Sequence, residues 1–184
     1  MSTTFPGTTI EVSALKKSAS RVMFDGIFAT GGITLSQVCI MTGLEPYLVQ
    51  NWVKRGFLTS PVRRVYSREQ FARVIIINML RETMQIDKIC SLLQIISGAP
   101  DDRGDDLIAD DELYHRYVDM LCDGEPPIGD RDAVSRLADR AAEDFAEPWA
   151  GGRKQLSKIL QAMLYAHAAA KLADTAEGII STLE

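Results

Sequence analysis

The 184-residue chain has no apolar run approaching the roughly 20 residues of a membrane span. Its opening stretch, Met1 to Thr9, lacks the basic start and apolar segment of a signal peptide. No membrane partner is therefore expected, and the default compartment is the cytoplasm. Cysteine is scarce. Cys39, Cys90 and Cys122 lie far apart and cannot all pair with one another, so they read as reduced, buried thiols rather than a disulfide or metal framework. The two histidines, His115 and His167, stand singly without carboxylate or cysteine partners at ligand spacing, and read as ordinary surface or core side chains. A Gly-rich phosphate loop, a nucleophile elbow and a paired metal motif are all missing. These absences argue against an enzyme and against a bound metal or cofactor.

With 46% hydrophobic and 24% charged residues, the chain suits one sizeable core or two small ones. Its net charge of −5 hides a division. From 33 to 97, eight Lys/Arg stand against four Asp/Glu; from 98 to 150, five stand against sixteen. Only the first stretch has a sign compatible with a polyanion, and its excess is modest, so affinity would need groove contacts or a second subunit as well.

In chain order, residues 1 to 9 read as polar and loosely attached, and Val12, Leu15, Ala19, Val22, Met23 and Ile27 fit one amphipathic helix from Ile10 to Phe28. Gly31-Gly32 breaks the chain. Thr34-Leu35-Ser36-Gln37 is a capping box that opens a short helix to Met41, stopped by Thr42-Gly43. Pro46 suits the first turn of the next helix, which ends at Arg55-Gly56. Phe57-Leu58, Thr59-Ser60-Pro61 and Val62 to Tyr66 read as two short extended pieces around a tight turn, the size of a small β-wing. Ser67-Arg68-Glu69-Gln70 is a second capping box, opening a helix over 68–82, and Ile86, Ile89, Cys90, Leu93 and Ile96 give another. The acidic stretch Asp101 to Asp111 is the best domain boundary. Three further helices are expected over 106–122, 131–146 and 153–176.

The informative stretch is Gly43 to Leu58. Tyr47, Gln50, Asn51 and Lys54 fall on one helical face, and Leu48, Val49, Trp52 and Val53 on the other. A helix entering a DNA groove needs such a face. Tyr47, Gln50 and Asn51 can offer hydrogen bonds to base edges or phosphates, Asn and Gln suiting adenine, while Lys54, Arg55, Arg63 and Arg64 can neutralise phosphates. Trp52, at i+4 from Leu48, is assigned to the core, and Tyr66 to the core or to the anchor of the wing.

From Ile33 to about Leu93 the chain resembles the MerR-type winged helix-turn-helix. The likeness rests on Thr34-Leu35-Ser36-Gln37-Val38, Thr42-Gly43-Leu44-Glu45-Pro46, Trp52, Arg55-Gly56-Phe57-Leu58, Arg64-Val65-Tyr66-Ser67-Arg68-Glu69-Gln70-Phe71 and the stretch from Leu80 to Ile89. More narrowly, Pro61 to Glu69 with the acidic helical tail resembles a bacterial family of unknown function built on that module. The resemblance implies a recognition helix in the major groove, a wing over the backbone, and a homodimer reading a two-fold-related site. Two features depart from it. Gln50 stands where that family often has Arg, and Gly98-Ala99-Pro100 interrupts the position of its long dimerisation helix, which leaves the C-terminal helices for dimerisation.

The expected architecture is mainly α. It comprises an N-terminal appendage over 1–32, a MerR-like winged helix-turn-helix over 33–97, an acidic connector over 98–112, and a C-terminal helical dimerisation or sensor domain over 113–184. The expected function is a sequence-specific transcriptional regulator that binds double-stranded DNA. Two alternatives remain open: a protein-interaction adaptor with a degenerate winged module, and a ligand sensor with its pocket around Met163, Tyr165 and His167. A sharper expectation concerns Asp101, Asp102, Asp105 and Asp106, which could compete with DNA for the basic wing.

Overall fold

The computed structural model describes residues 3–97, 106–124 and 128–183. Asp101, Asp102 and Asp105, three of the four carboxylates expected to compete for the wing, lie outside them. Among the described residues the chain is mainly helical, with eight helices and two small antiparallel sheets. None of the helices is long and apolar enough to cross a membrane.

The centre of the fold is α4, Arg68–Leu80. Its run Val74-Ile75-Ile76-Ile77 would favour a strand if it stood alone, yet it forms a helix buried on nearly all sides. Both halves of the capping box are satisfied: the Ser67 side chain accepts from the Gln70 amide, and Gln70 Oε1 accepts from the Ser67 amide at 2.9 Å. Around α4 pack α2 (Leu35–Thr42), α5 (Ile86–Ser97), α6 (Asp110–Leu121) and α8 (Gly152–Ile180), with α1 (Ala19–Ile27) and α7 (Arg131–Ala141) against α6. The buried apolar side chains form one cluster that includes residues from Phe5 to Ala166. The acidic stretch therefore divides the chain by charge, while α6 and α8 pack on α4 in a shared core. Leu107 and Ile108 are themselves buried, and the Leu107 amide donates to Ile96 O at 2.7 Å. Arg73 on α4 and Asp110 at the start of α6 form a nearly buried ion pair at 2.8 Å.

The N-terminal residues depart from the loose attachment expected of them, because residues 3–12 are fixed to the core. Strands β1 (Thr3–Thr4) and β2 (Glu11–Val12) pair antiparallel, and Phe5 is buried. Gly7, at φ +71°, passes so close to α4 that an added Cβ would collide with Ile75 O. Asn78 on α4 donates to Gly7 O and Thr42 O, and Tyr114 Oη donates to Pro6 O at 2.9 Å. The helix expected from Ile10 shrinks to α1, because Ile10 O accepts from Phe5 N–H in a turn and Glu11–Val12 is taken into β2 against Thr3–Thr4.

The wing strand also pairs differently from its expected partner. Strand β4 (Val65–Tyr66) lies antiparallel to β3 (Ile33–Thr34), with Ile33 opposite Tyr66 and Thr34 opposite Val65. The tight turn sits at Arg63-Arg64 instead of Thr59-Ser60-Pro61, closed by Val65 N–H to Val62 O at 2.9 Å. Gly32 lets this small sheet close, since a Cβ there would collide with Val65 Cγ1.

Candidate nucleic-acid interface

Helix α2 ends at Gly43, whose φ of +69° turns the chain, and three residues later α3 (Pro46–Lys54) begins with Pro46 in its first turn. Leu44, Val49 and Trp52 are buried beneath this unit. Trp52 is thus a core side chain, and its carbonyl accepts from the Phe57 and Leu58 amides, which folds the exit of α3 back on itself. Tyr66 is buried as well.

The opposite face of α3 is open. Tyr47 is 66% exposed, and Gln50, Asn51 and Lys54 are exposed at i+3, i+4 and i+7 from it. Among the described residues, none of these four side chains has a hydrogen bond or ion pair to another protein group. Arg55 differs from them. Its guanidinium lies 4.4 Å from the centre of the Phe57 ring and 3.4 Å from Asp87 Oδ1. The pair is solvated on both sides, so it contributes little stability and leaves other N–H donors free.

Arg63 and Arg64 occupy the tip of the 62–65 turn, exposed and without partners among the described residues. Both have positive φ, 51° and 65°. That is the sign pattern of a type I′ hairpin turn, which normally takes Asn and Gly because a Cβ is strained there. The sequence therefore keeps two cations where the backbone disfavours them. Of the residues expected to contact DNA, only Arg55 is partly engaged within the protein. Gln70 anchors the loop leading to the tip. Beside its part in the capping box, its Nε2 donates to Thr59 O at 3.0 Å and Ser60 O at 3.2 Å. Arg68, next to the cap, reaches Asp25 at 2.8 Å across the Phe24 and Phe28 rings.

Away from this face, where a pocket is envisaged around Met163, Tyr165 and His167, Met163 is fully buried and His167 Nδ1 shares a 2.7 Å hydrogen bond with Tyr117 Oη. An open groove of about 950 Å³ lies between the end of α6, α7 and the first turn of α8, lined in part by Arg136, Leu137, Arg140 and Lys154. Among the described residues no three His, Cys, Asp or Glu side chains cluster as a metal site. Cys39, Cys90 and Cys122 are free and half-buried, and burial pushes the pKa of each thiol upward.

His115 is buried between α1 and α6. Its Nδ1 meets Ser20 Oγ at 2.9 Å, its ring meets Phe24 edge-on at 4.8 Å, and Nε2 has no partner among the described residues. Burial lowers its pKa, assisted by the Arg21 and Arg68 charges and opposed by Asp111 and Glu112. The folded state thus holds this imidazole neutral while the unfolded chain protonates near about pH 6.5. Stability is retained above that value and declines as pH falls from it toward the lowered folded pKa. Urea midpoints taken near neutrality and in mild acid should diverge more for the native sequence than for His115→Gln, which carries no titrating group.

Residues 34–117 match the sequence profile of DUF1836, described as a domain of unknown function. The match begins at the N-cap of α2 and runs through the acidic connector into α6, in keeping with the shared core of α4 and α6. The chain is also similar to an uncharacterized protein of Bacillus subtilis (strain 168), YkrK, at 29% identity over 93 residues. That alignment covers 48% of this chain and 40% of YkrK, so the chain spans about two fifths of the length of the curated relative it matches. No solved structure matches.

Proposed function

We propose that this protein is a sequence-specific transcriptional regulator that binds double-stranded DNA as a homodimer, with α3 as the recognition helix of a MerR-like winged helix-turn-helix. The hairpin at 62–65 is its wing. The observation that carries this reading is the uncommitted polar face of α3, Tyr47, Gln50, Asn51 and Lys54, followed in the chain by two exposed arginines held at positive φ. A merely solvated turn gains nothing from arginine in that conformation, whereas a phosphate contact does.

In this mechanism α3 enters the major groove, Gln50 and Asn51 address base edges, and Lys54, Arg63 and Arg64 set the register on the phosphates. Arg55 completes a phosphate contact from the C-terminus of α3 while resting on Phe57. Each good base contact contributes about 1–3 kcal/mol of discrimination. The +4 balance of residues 33–97 is too small for tight binding by one copy, so two copies on a symmetric site supply the remainder.

Two single substitutions test the division of labour. Asn51→Ala should narrow the gap between a selected site and random duplex while leaving non-specific affinity nearly unchanged. Arg63→Ala should weaken both duplexes alike and lower the salt slope by about 1 for each copy bound. Equal behaviour of the two variants in fluorescence anisotropy titrations contradicts the assignment.

A further inference from the structure

The groove between the end of α6, α7 and the first turn of α8 holds cations that the fold does not use. Arg136 and Arg140 stand about one helical turn apart on α7, and Lys154 lies in the first turn of α8. All three line the groove, are exposed, and have no hydrogen bond or ion pair among the described residues. Acids stand close in sequence. Asp139 is three residues from Arg136, and Asp144, just past the helix, is four from Arg140, the spacings of helical ion pairs. Both are engaged elsewhere: Asp139 accepts from Ser157 Oγ at 2.6 Å, and Asp144 pairs with Arg116 at 2.6 Å. On the groove wall, Glu147 accepts from the Arg153 amide at 2.9 Å and Asp123 pairs with Lys17 at 2.8 Å, which leaves Glu143 as the unengaged carboxylate there among the described residues. The placement of the cations is also unfavourable in isolation. Arginines at i and i+4 repel each other, and α8 carries Arg153 and Lys154 rather than an acid in the turn where the helix dipole favours negative charge. A bound anion offsets both. The groove has an apolar side as well, with Leu137 and Ala142 buried and Ala133 half-buried.

We propose that this groove binds a small molecule that carries a phosphate monoester on an apolar body. Guanidinium groups present paired N–H donors that match phosphate oxygens, Lys154 adds a point charge, and three uncommitted cations suit a dianion better than a single carboxylate. Leu137, Ala142 and Ala133 receive the body. The volume of about 950 Å³ exceeds what inorganic phosphate fills and falls in the range of small-molecule sites, about 300–1,000 Å³. With Arg153 counted, four cations and four carboxylates line the groove, so it projects no strong long-range field and recognition depends on the direct contacts of Arg136, Arg140 and Lys154.

The site uses neither α3 nor the 62–65 hairpin and is tested without DNA, so its failure and a failure of DNA binding are separate results. In thermal unfolding of the full chain at constant ionic strength, phenyl phosphate should raise the melting temperature saturably, by about 3–6 °C at ten times its dissociation constant. Inorganic phosphate should raise it less, because it has nothing to place on the apolar side. Arg136→Gln with Arg140→Gln should weaken phenyl phosphate binding about tenfold or more in isothermal titration calorimetry. Neither side chain has a protein partner among the described residues, so far-UV circular dichroism should be unchanged in that variant. Arg131→Gln with Lys158→Gln removes the same charge from exposed positions outside the groove and should bind phenyl phosphate as the native chain does. Absence of a saturable shift, a groove variant that binds as the native chain does, or equal losses in the two double variants overturns the site. Inorganic phosphate binding as tightly as phenyl phosphate overturns the apolar body.

Discussion

Replacing Arg63-Arg64 by Asn-Gly should make the protein more stable and a weaker DNA binder at the same time. Both arginines sit at positive φ in a two-residue turn, a conformation that costs a side chain other than Gly or Asn roughly 1–2 kcal/mol. Asn-Gly is the pair such a turn prefers, and neither arginine has a protein partner among the described residues that the change would break. Unfolding in urea should therefore move to higher denaturant, corresponding to about 1–3 kcal/mol in total once the greater unfolded-state freedom of Gly is set against the two relieved strains. DNA binding should move the other way. With two phosphates per copy no longer neutralised, the salt slope falls by about 2 per copy, or about 4 for a pair. A variant that gains stability and binds as before would remove the hairpin from the interface. One that loses stability would show that the arginine stems hold the turn together.

At the junction of α4 and α6, Arg73→Met should destabilise the fold by about 3–5 kcal/mol, because it leaves the Asp110 carboxylate without its partner in a nearly buried position. Burial pushes the Asp110 pKa up, and the Arg73 charge and hydrogen bond work against that push. Removing Arg73 drives the pKa higher still. A carboxyl whose folded pKa is raised stabilises the fold most below its unfolded value of about 3.9, and that contribution is lost as pH rises through the folded pKa. The deficit of Arg73→Met should accordingly shrink on acidification. Adding Asp110→Leu should recover most of it at neutral pH, since the buried charge is gone. Urea unfolding of the single and double variants at two pH values checks both statements. A deficit that does not depend on pH would point to the packing of the Arg73 stem instead.

What is legible in the sequence here is what local chemistry decides. The capping boxes at Thr34 to Gln37 and Ser67 to Gln70 can be read because all their partners lie within three residues, and both form as spelled. The polar face of α3 can be read for the same reason, since periodicity within one helix decides it. Pairings across the chain cannot. Nothing near Val65-Tyr66 names Ile33-Thr34 as its strand partner, and the only local hint is that Gly32 leaves room for Val65. The polar opening residues read as loose because Phe5 is a single apolar residue. Its attachment depends on Gly7 passing Ile75 and on Pro6 O meeting Tyr114, partners that lie far along the chain. The acidic stretch reads as a boundary because charge density signals solvation. Yet Leu107 and Ile108, embedded in that stretch, pack into the core, and Asp110 is held by an arginine 37 residues back. The positive φ of Arg63 and Arg64 is invisible for a further reason: the residue types present are the ones turn preferences argue against.

Gln50 is the point at which affinity is least assured, since the MerR resemblance places Arg at that position. On the proposed reading, the missing strength comes from the 62–65 hairpin and from a second copy rather than from α3 alone. Selection from random duplex DNA with the full chain, carried out at two salt concentrations, bears most directly on this. The expected result is an enriched motif with inverted repeat symmetry, recovered at both salts but with lower yield at the higher one, and with a weaker preference for its base pairs after Asn51→Ala. Recovery of no motif at either salt, with binding that tracks ionic strength alone, would contradict sequence-specific regulation by α3.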